Sequence, residues 1–103
     1  MSTQNPENEK KCLTLRFVFP DRRPESVICD SVRLTVKDSP NGKNGGLYGI
    51  RPGHARAVFL LDAGKAEALH EGKKVLSYKT AEGFARVENN EVTVVTGSAE
   101  PCK

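Results

Sequence analysis

The stretch that most restricts this chain is Gly46-Leu47-Tyr48-Gly49-Ile50-Arg51-Pro52-Gly53-His54-Ala55. It sets the glycines Gly46, Gly49 and Gly53 and the proline Pro52 among apolar Leu47, Tyr48 and Ile50. Glycine admits positive φ and close backbone approach, and proline fixes φ near −65°. Pro52-Gly53 suits a tight turn, with proline at the second position and glycine at the third. Leu47 to Ile50 is too apolar for a solvent loop. The stretch therefore reads as a short strand running into a held turn that presents His54. As a structural corner it needs no further role.

The rest of the chain alternates in the manner of strands. Leu13, Leu15, Phe17 and Phe19 alternate with Thr14, Arg16 and Val18, ending at Pro20-Asp21. Asp21 to Glu25 is a charged turn, and Val27 to Cys29 is a short apolar piece. Val32, Leu34 and Val36 alternate with Arg33, Thr35 and Lys37, giving one dry face and one wet one. Asp38 to Gly46 is almost pure turn chemistry, long for a hairpin. Ala55 to Leu69 carries helix-forming residues but is interrupted at Asp62-Ala63-Gly64, and divides there into two short strands. Glu71-Gly72 is a hairpin-like turn before a strand over Lys73 to Thr80. Phe84 to Glu88 and Glu91 to Thr96 flank Asn89-Asn90, a pair that tolerates left-handed geometry. Short strands at close spacing predict an all-β sandwich or barrel.

At 103 residues this is one domain, here residues 12–100. Residues 1–11 read as a disordered polar tail and residues 101–103 as a flexible C-terminal tail that includes Cys102. The formal net charge is only +3 and there is no Trp, so a nucleic-acid platform is not expected. The polar N-terminus does not read as a signal sequence, which points to the cytoplasm. Cys12, Cys29 and Cys102 form no C-x-x-C pair. With His54 and His70 they give no recognised zinc spacing, so no metal is expected. No nucleophile lies beside either histidine, so no catalytic residue is assigned. The glycines at 42, 45, 46 and 49 lack the Gly-Lys-Ser/Thr ending of a phosphate loop, and no cofactor is expected.

Taken together, four pieces resemble the epsilon subunit of bacterial F-type ATP synthases (the delta subunit of the mitochondrial enzyme), in its N-terminal β-sandwich domain. They are the strand ending in Phe19-Pro20-Asp21, the Gly46–Ala55 stretch, Gly83-Phe84 leading to Val87, and Asn89 to Val95 followed by Ala99-Glu100. The second piece is the specific one, against the family's Gly-x-x-Gly-Ile-Leu-Pro-Gly-His-Ala-Pro. The resemblance implies two packed antiparallel sheets of about five strands each, with strands around Gly64. It implies a non-catalytic rotor subunit of the central stalk that binds the gamma subunit and the c ring and helps couple ion flow to ATP synthesis. Such a subunit is peripheral, on the cytoplasmic face of the bacterial plasma membrane. By motif position, the gamma contact falls on Phe19, His54 and Phe59, and the c-ring contact on Leu47 and Tyr48.

Four departures qualify the resemblance. Leu47 stands where an acidic or polar residue is usual. Arg51 replaces an apolar residue and Arg56 a proline, making both candidates for a divergent interface. The loop Asp38 to Gly45 is longer than usual. The family's C-terminal helical hairpin, which carries inhibition and in some members ATP binding, has no counterpart here, so neither property is expected. The alternative reading is a small β-barrel binding module for nucleic acid or a small ligand, with Arg51, Arg56 and Lys73-Lys74 as its basic surface.

Overall fold

The computed structural model describes residues 12–20, 22–38 and 44–102. The N-terminal tail, Asp21, the centre of the long loop and Lys103 lie outside the described residues. Nine strands are described: β1 (Leu13–Val18), β2 (Glu25–Cys29), β3 (Ser31–Asp38), β4 (Asn44–Ile50), β5 (Ala57–His70), β6 (Lys73–Thr80), β7 (Gly83–Glu88), β8 (Glu91–Thr96) and β9 (Ala99–Pro101). They form two layers. One has the order β2-β1-β8-β7 and the first half of β5; the other has β4-β3, the second half of β5, β6 and β9. The hydrogen-bonded path is open at β2, β4 and β9, so the fold is a sandwich and not a barrel. All pairs are antiparallel except β1 with β8, which run parallel.

Strand alternation builds the core. Leu13, Leu15 and Phe17 of β1, Val92 and Val94 of β8, and Ala85 and Val87 of β7 point inward from the first layer. Val32, Leu34 and Val36 of β3, Ile50, Ala66, Ala68 and Tyr78 meet them from the second. Each large apolar side chain so buried contributes about 1.5–3 kcal/mol before entropy is counted. Phe17 meets Tyr78 edge to face at a centroid separation of 5.0 Å, joining the layers.

The segment expected as two short strands is one strand of 14 residues. The break at Asp62-Ala63-Gly64 is real but is a bulge: Leu34 pairs with Ala66, while Val36 pairs with Leu61. The excess residues flip the inward face from Phe59 and Leu61 to Ala66 and Ala68. β5 thereby pairs β7 through Ala57–Leu61 and β6 through Gly64–His70. Local sequence signalled an interruption; pairing along β3 carries the strand through it. Gly64 is required there, because a Cβ would meet Thr35 Oγ1 at 2.6 Å.

Two turns fall where the sequence places them. Asn89 and Asn90 both have left-handed φ (52° and 62°) between the paired Glu88 and Glu91, as a primed hairpin turn requires. Glu71 and Gly72 do the same between His70 and Lys73. The loop after β3 is shorter than expected, since Asp38 pairs with Asn44 and Asn44 to Gly46 is strand. An edge strand tolerates such a glycine run, because one side needs no partner. The C-terminal end also differs from a flexible tail. Pro101 pairs with Tyr78, and Cys102 N–H donates to the Ser77 carbonyl at 2.9 Å.

Candidate functional site

The turn at Pro52-Gly53 has the expected form. Gly53 has φ of 86°, and His54 N–H donates to the Arg51 carbonyl at 3.2 Å. Those are the marks of a type II turn. Gly53 N–H donates to Asn90 Oδ1 at 2.8 Å, which ties this turn to the β7–β8 turn. Asn90 was not singled out from sequence as a partner of Gly53; only its fitness for left-handed φ is readable locally.

The His54 ring is held at both nitrogens. Nδ1 lies 2.7 Å from the Ala55 carbonyl oxygen, and Nε2 lies 2.8 Å from the Tyr48 hydroxyl. A carbonyl only accepts, so in the neutral ring Nδ1 carries the proton and Tyr48 O–H donates to Nε2. Phe59 closes the cluster. Its ring centroid lies 5.0 Å from that of Tyr48 and 6.0 Å from that of His54. The three rings fill the edge where β4 meets the first half of β5, with Phe59 buried and Tyr48 and His54 half-buried.

This grouping differs from the one expected. Motif position groups Tyr48 with Leu47, yet successive strand residues face opposite ways. Leu47 points to solvent, 61% exposed, while Tyr48 turns toward His54. Motif position groups Phe19 with His54 and Phe59, but Phe19 lies just past the far end of β1. Thr14 N–H meets the Asn90 carbonyl near the Gly53 turn, and Phe19 is five residues further along, roughly 16 Å at strand rise. Phe19 is buried beside Phe17 and Tyr78, with the Arg22 guanidinium 4.0 Å above its ring. Phe19 and Phe59 are 7% and 5% exposed.

The outer face of the first layer carries a surface that sequence reasoning missed. Val58, Leu60 and Phe84 are 66%, 65% and 43% exposed. Leu60 is in register with Phe84, Phe84 with Val95, and Val95 with Val18. The row spans four strands, about 14 Å, and ends at an apolar cleft lined by Val18, Phe19, Pro20, Val95 and Gly97. The sequence signal was Val58-Phe59-Leu60-Leu61, apolar on both faces of one strand. Arg56 lies beside this layer but pairs with Glu88 at 3.0 Å, and Lys74 pairs with buried Glu67 at 2.9 Å. The basic surface proposed for a binding module is thus broken up by carboxylates.

Two groups are held against ionisation. Tyr78 is pushed up from its ordinary value, first by its hydrogen bond to Glu25 and then by burial. Burial raises the Cys29 thiol, as fits a small core residue.

With this geometry in place, comparison with known proteins is decisive. The family model for the ATP synthase delta/epsilon chain β-sandwich domain matches residues 12–102. The chain belongs to this family. ATP synthase epsilon chains similar to it include those of Myxococcus xanthus (36% identical, covering 86% of this chain and 60% of the relative) and Lawsonia intracellularis (38%, 88% and 62%). The epsilon chain of Synechococcus elongatus is 38% identical, covering 85% of this chain and 58% of its own length. The chain thus spans about 60% of the length of these delta/epsilon relatives. Among solved structures, a chain of the Euglena gracilis mitochondrial ATP synthase (OSCP/F1/c-ring) is similar at a TM-score of 0.69 and 24% identity, covering 88% of this chain and 54% of that one. A chain of the Tetrahymena thermophila mitochondrial ATP synthase central stalk and c ring gives 0.62 at 8% identity, covering 86% and 66%. At those identities the likeness is one of fold. The delta/epsilon fold agrees with the open sandwich and leaves the barrel-module alternative without support.

Proposed function

We propose that this chain is a non-catalytic rotor subunit in the central stalk of an F-type ATP synthase, binding gamma and the c ring and helping couple ion flow to ATP synthesis. The match of the delta/epsilon family model over residues 12–102 carries this reading. The absence of any membrane-crossing helix among the described residues is compatible with a peripheral place. That place is the cytoplasmic face of the bacterial plasma membrane, reached through the complex.

The gamma contact comprises the Tyr48–His54–Phe59 edge and the adjoining apolar row of Val58, Leu60 and Phe84. A contiguous exposed apolar row is the kind of surface that partners cover. Phe59 supports the edge from below, and Phe19 serves the core end of the same layer. Leu47, exposed on the opposite side of β4, contacts the polar loops of the c ring. Tyr48 contributes to the gamma edge through its bond to His54. Arg56, just before β5, gives this copy a gamma surface unlike that of its relatives.

The test is co-purification with the gamma subunit of the same organism on a sizing column. A stable one-to-one complex is expected, weakened by His54→Glu and by Leu60→Asp with the fold intact. Failure of the unmodified chain to bind gamma overturns the reading.

A further inference from the structure

A second surface lies on the other layer, away from the apolar row. A cleft of about 640 Å³ opens between the turn after β4 and the β5–β6 turn, lined by Asp30, Ser31, Arg33, Arg51, Pro52 and Leu69 among others. Its volume falls in the roughly 300–1,000 Å³ range of small-molecule sites. Two guanidinium groups line it. Among the described residues, neither Arg33 nor Arg51 has a carboxylate within 4.0 Å, whereas Arg56, Lys37 and Lys74 all do.

Two of the nearby acids, Asp30 and Glu67, already have partners. Asp30 Oδ2 accepts the Glu71 N–H at 2.8 Å and lies 3.8 Å from His70 Nδ1. Glu71 Oε2 sits 4.0 Å from His70 Nε2, on the exposed outer side of the turn. Glu67, the cross-strand neighbour of Arg33, is occupied by Lys74 at 2.9 Å. Opposite Arg33 on the other side stands Gly49, where an added Cβ would meet nothing within 4 Å. The strand surface next to Arg33 thus carries no side chain at Gly49.

We propose that this cleft binds a phosphomonoester dianion between Arg33 and Arg51. Guanidinium forks match phosphate oxygens bidentately, and two of them suit a doubly charged group better than a single carboxylate. Ser31 also lines the cleft and carries a hydroxyl donor. The cleft is larger than a phosphate group needs, and Pro52 with buried Leu69 forms an apolar wall for the organic remainder. This site does not depend on the gamma reading, since Arg33 and Ser31 belong to β3 and neither they nor Arg51 is assigned to that contact.

Amide chemical shifts of the full chain, titrated at fixed ionic strength with inorganic phosphate, phenyl phosphate and benzoate, test the proposal. Phenyl phosphate is expected to give saturable shifts confined to Ser31, Arg33, Leu69, Gly72 and their neighbours, with affinity several-fold above phosphate and benzoate. Arg51→Leu, which restores the apolar residue type of the family pattern, and Arg33→Gln should each weaken it about tenfold, the loss of one charge-assisted contact. Arg86→Gln, on the outer face of the first layer, should leave it unchanged. Dispersed shifts, equal affinity for benzoate or bare phosphate, no loss in Arg51→Leu, or equal loss in Arg86→Gln would each overturn the assignment. Preserved spectral dispersion in each variant separates loss of the site from loss of the fold.

Discussion

The hydroxyl of Tyr48 donates to Nε2 of His54 at 2.8 Å, across the turn that the glycines and Pro52 hold in place. The bond acts with the Ala55 carbonyl to fix which nitrogen of His54 carries its proton. Tyr48→Phe removes the donor and leaves Nε2 free to take a proton. The Nδ1–H tautomer population, read from ring nitrogen shifts, is expected to fall. Stability should drop by about 1 kcal/mol, the usual net worth of one such bond. An unchanged tautomer ratio would mean that the Ala55 carbonyl alone sets it.

Asn90 does two jobs, taking left-handed φ and accepting the Gly53 N–H. Asn90→Gly keeps the first and loses the second, so it should cost about 1 kcal/mol. Asn90→Ala loses both and should cost more, because left-handed geometry strains a residue with a Cβ. Urea unfolding midpoints of the two variants separate the contributions.

Gly83 stands where a Cβ would drive into the Val95 carbonyl, and backbone cannot swing aside. Gly83→Ala should cost about 3 kcal/mol or more. Gly64→Ala meets the Thr35 side chain instead, a softer obstacle. Combining Gly64→Ala with Thr35→Ala should therefore be less damaging than the sum of the single changes. Thermal unfolding of the four variants gives the comparison.

Stability should fall on the alkaline side. Cys29 and Tyr78 hold their protons to higher pH in the folded chain than their ordinary values of 9.0 and 10.0. Above those values the unfolded chain has lost protons that the folded chain keeps, so the slope of stability against pH is negative. The loss begins near pH 9 for the thiol and near pH 10 for the phenol, and the stabilisation is fully present below. Tyr78→Phe should remove the phenol component, seen as a flatter unfolding midpoint between pH 10 and 11.

Much of the fold was readable because it is local. Leu13 to Phe17 and Val32 to Val36 alternate strictly, and Asn89-Asn90 and Pro52-Gly53 turn as their φ preferences require, while at Glu71-Gly72 only the glycine does. What local pattern could not supply was pairing between distant residues. Asp62-Ala63-Gly64 looks like an end until β3 is laid beside it. Pro101-Cys102 looks like a tail until β6 pairs with it. The site shows the same division. His54 and its turn were legible, but the company of Tyr48 and Phe59 depends on how two layers meet. The separation of Phe19 from them depends on the direction of β1. The apolar row of Leu60, Phe84, Val95 and Val18 draws on four strands, and no single segment announces it.

The bulge in β5 has a mechanical meaning. Because one backbone enters the first layer at Ala57 and leaves the second at His70, the two layers share a covalent member. A sandwich joined only through side chains can yield to sideways load by slippage between its faces. Here such slippage must bend β5 at its bulge, or tear the ladders on either side of Gly64. A twisting load applied to one face is passed to the other through the chain itself, and the domain answers as a single beam.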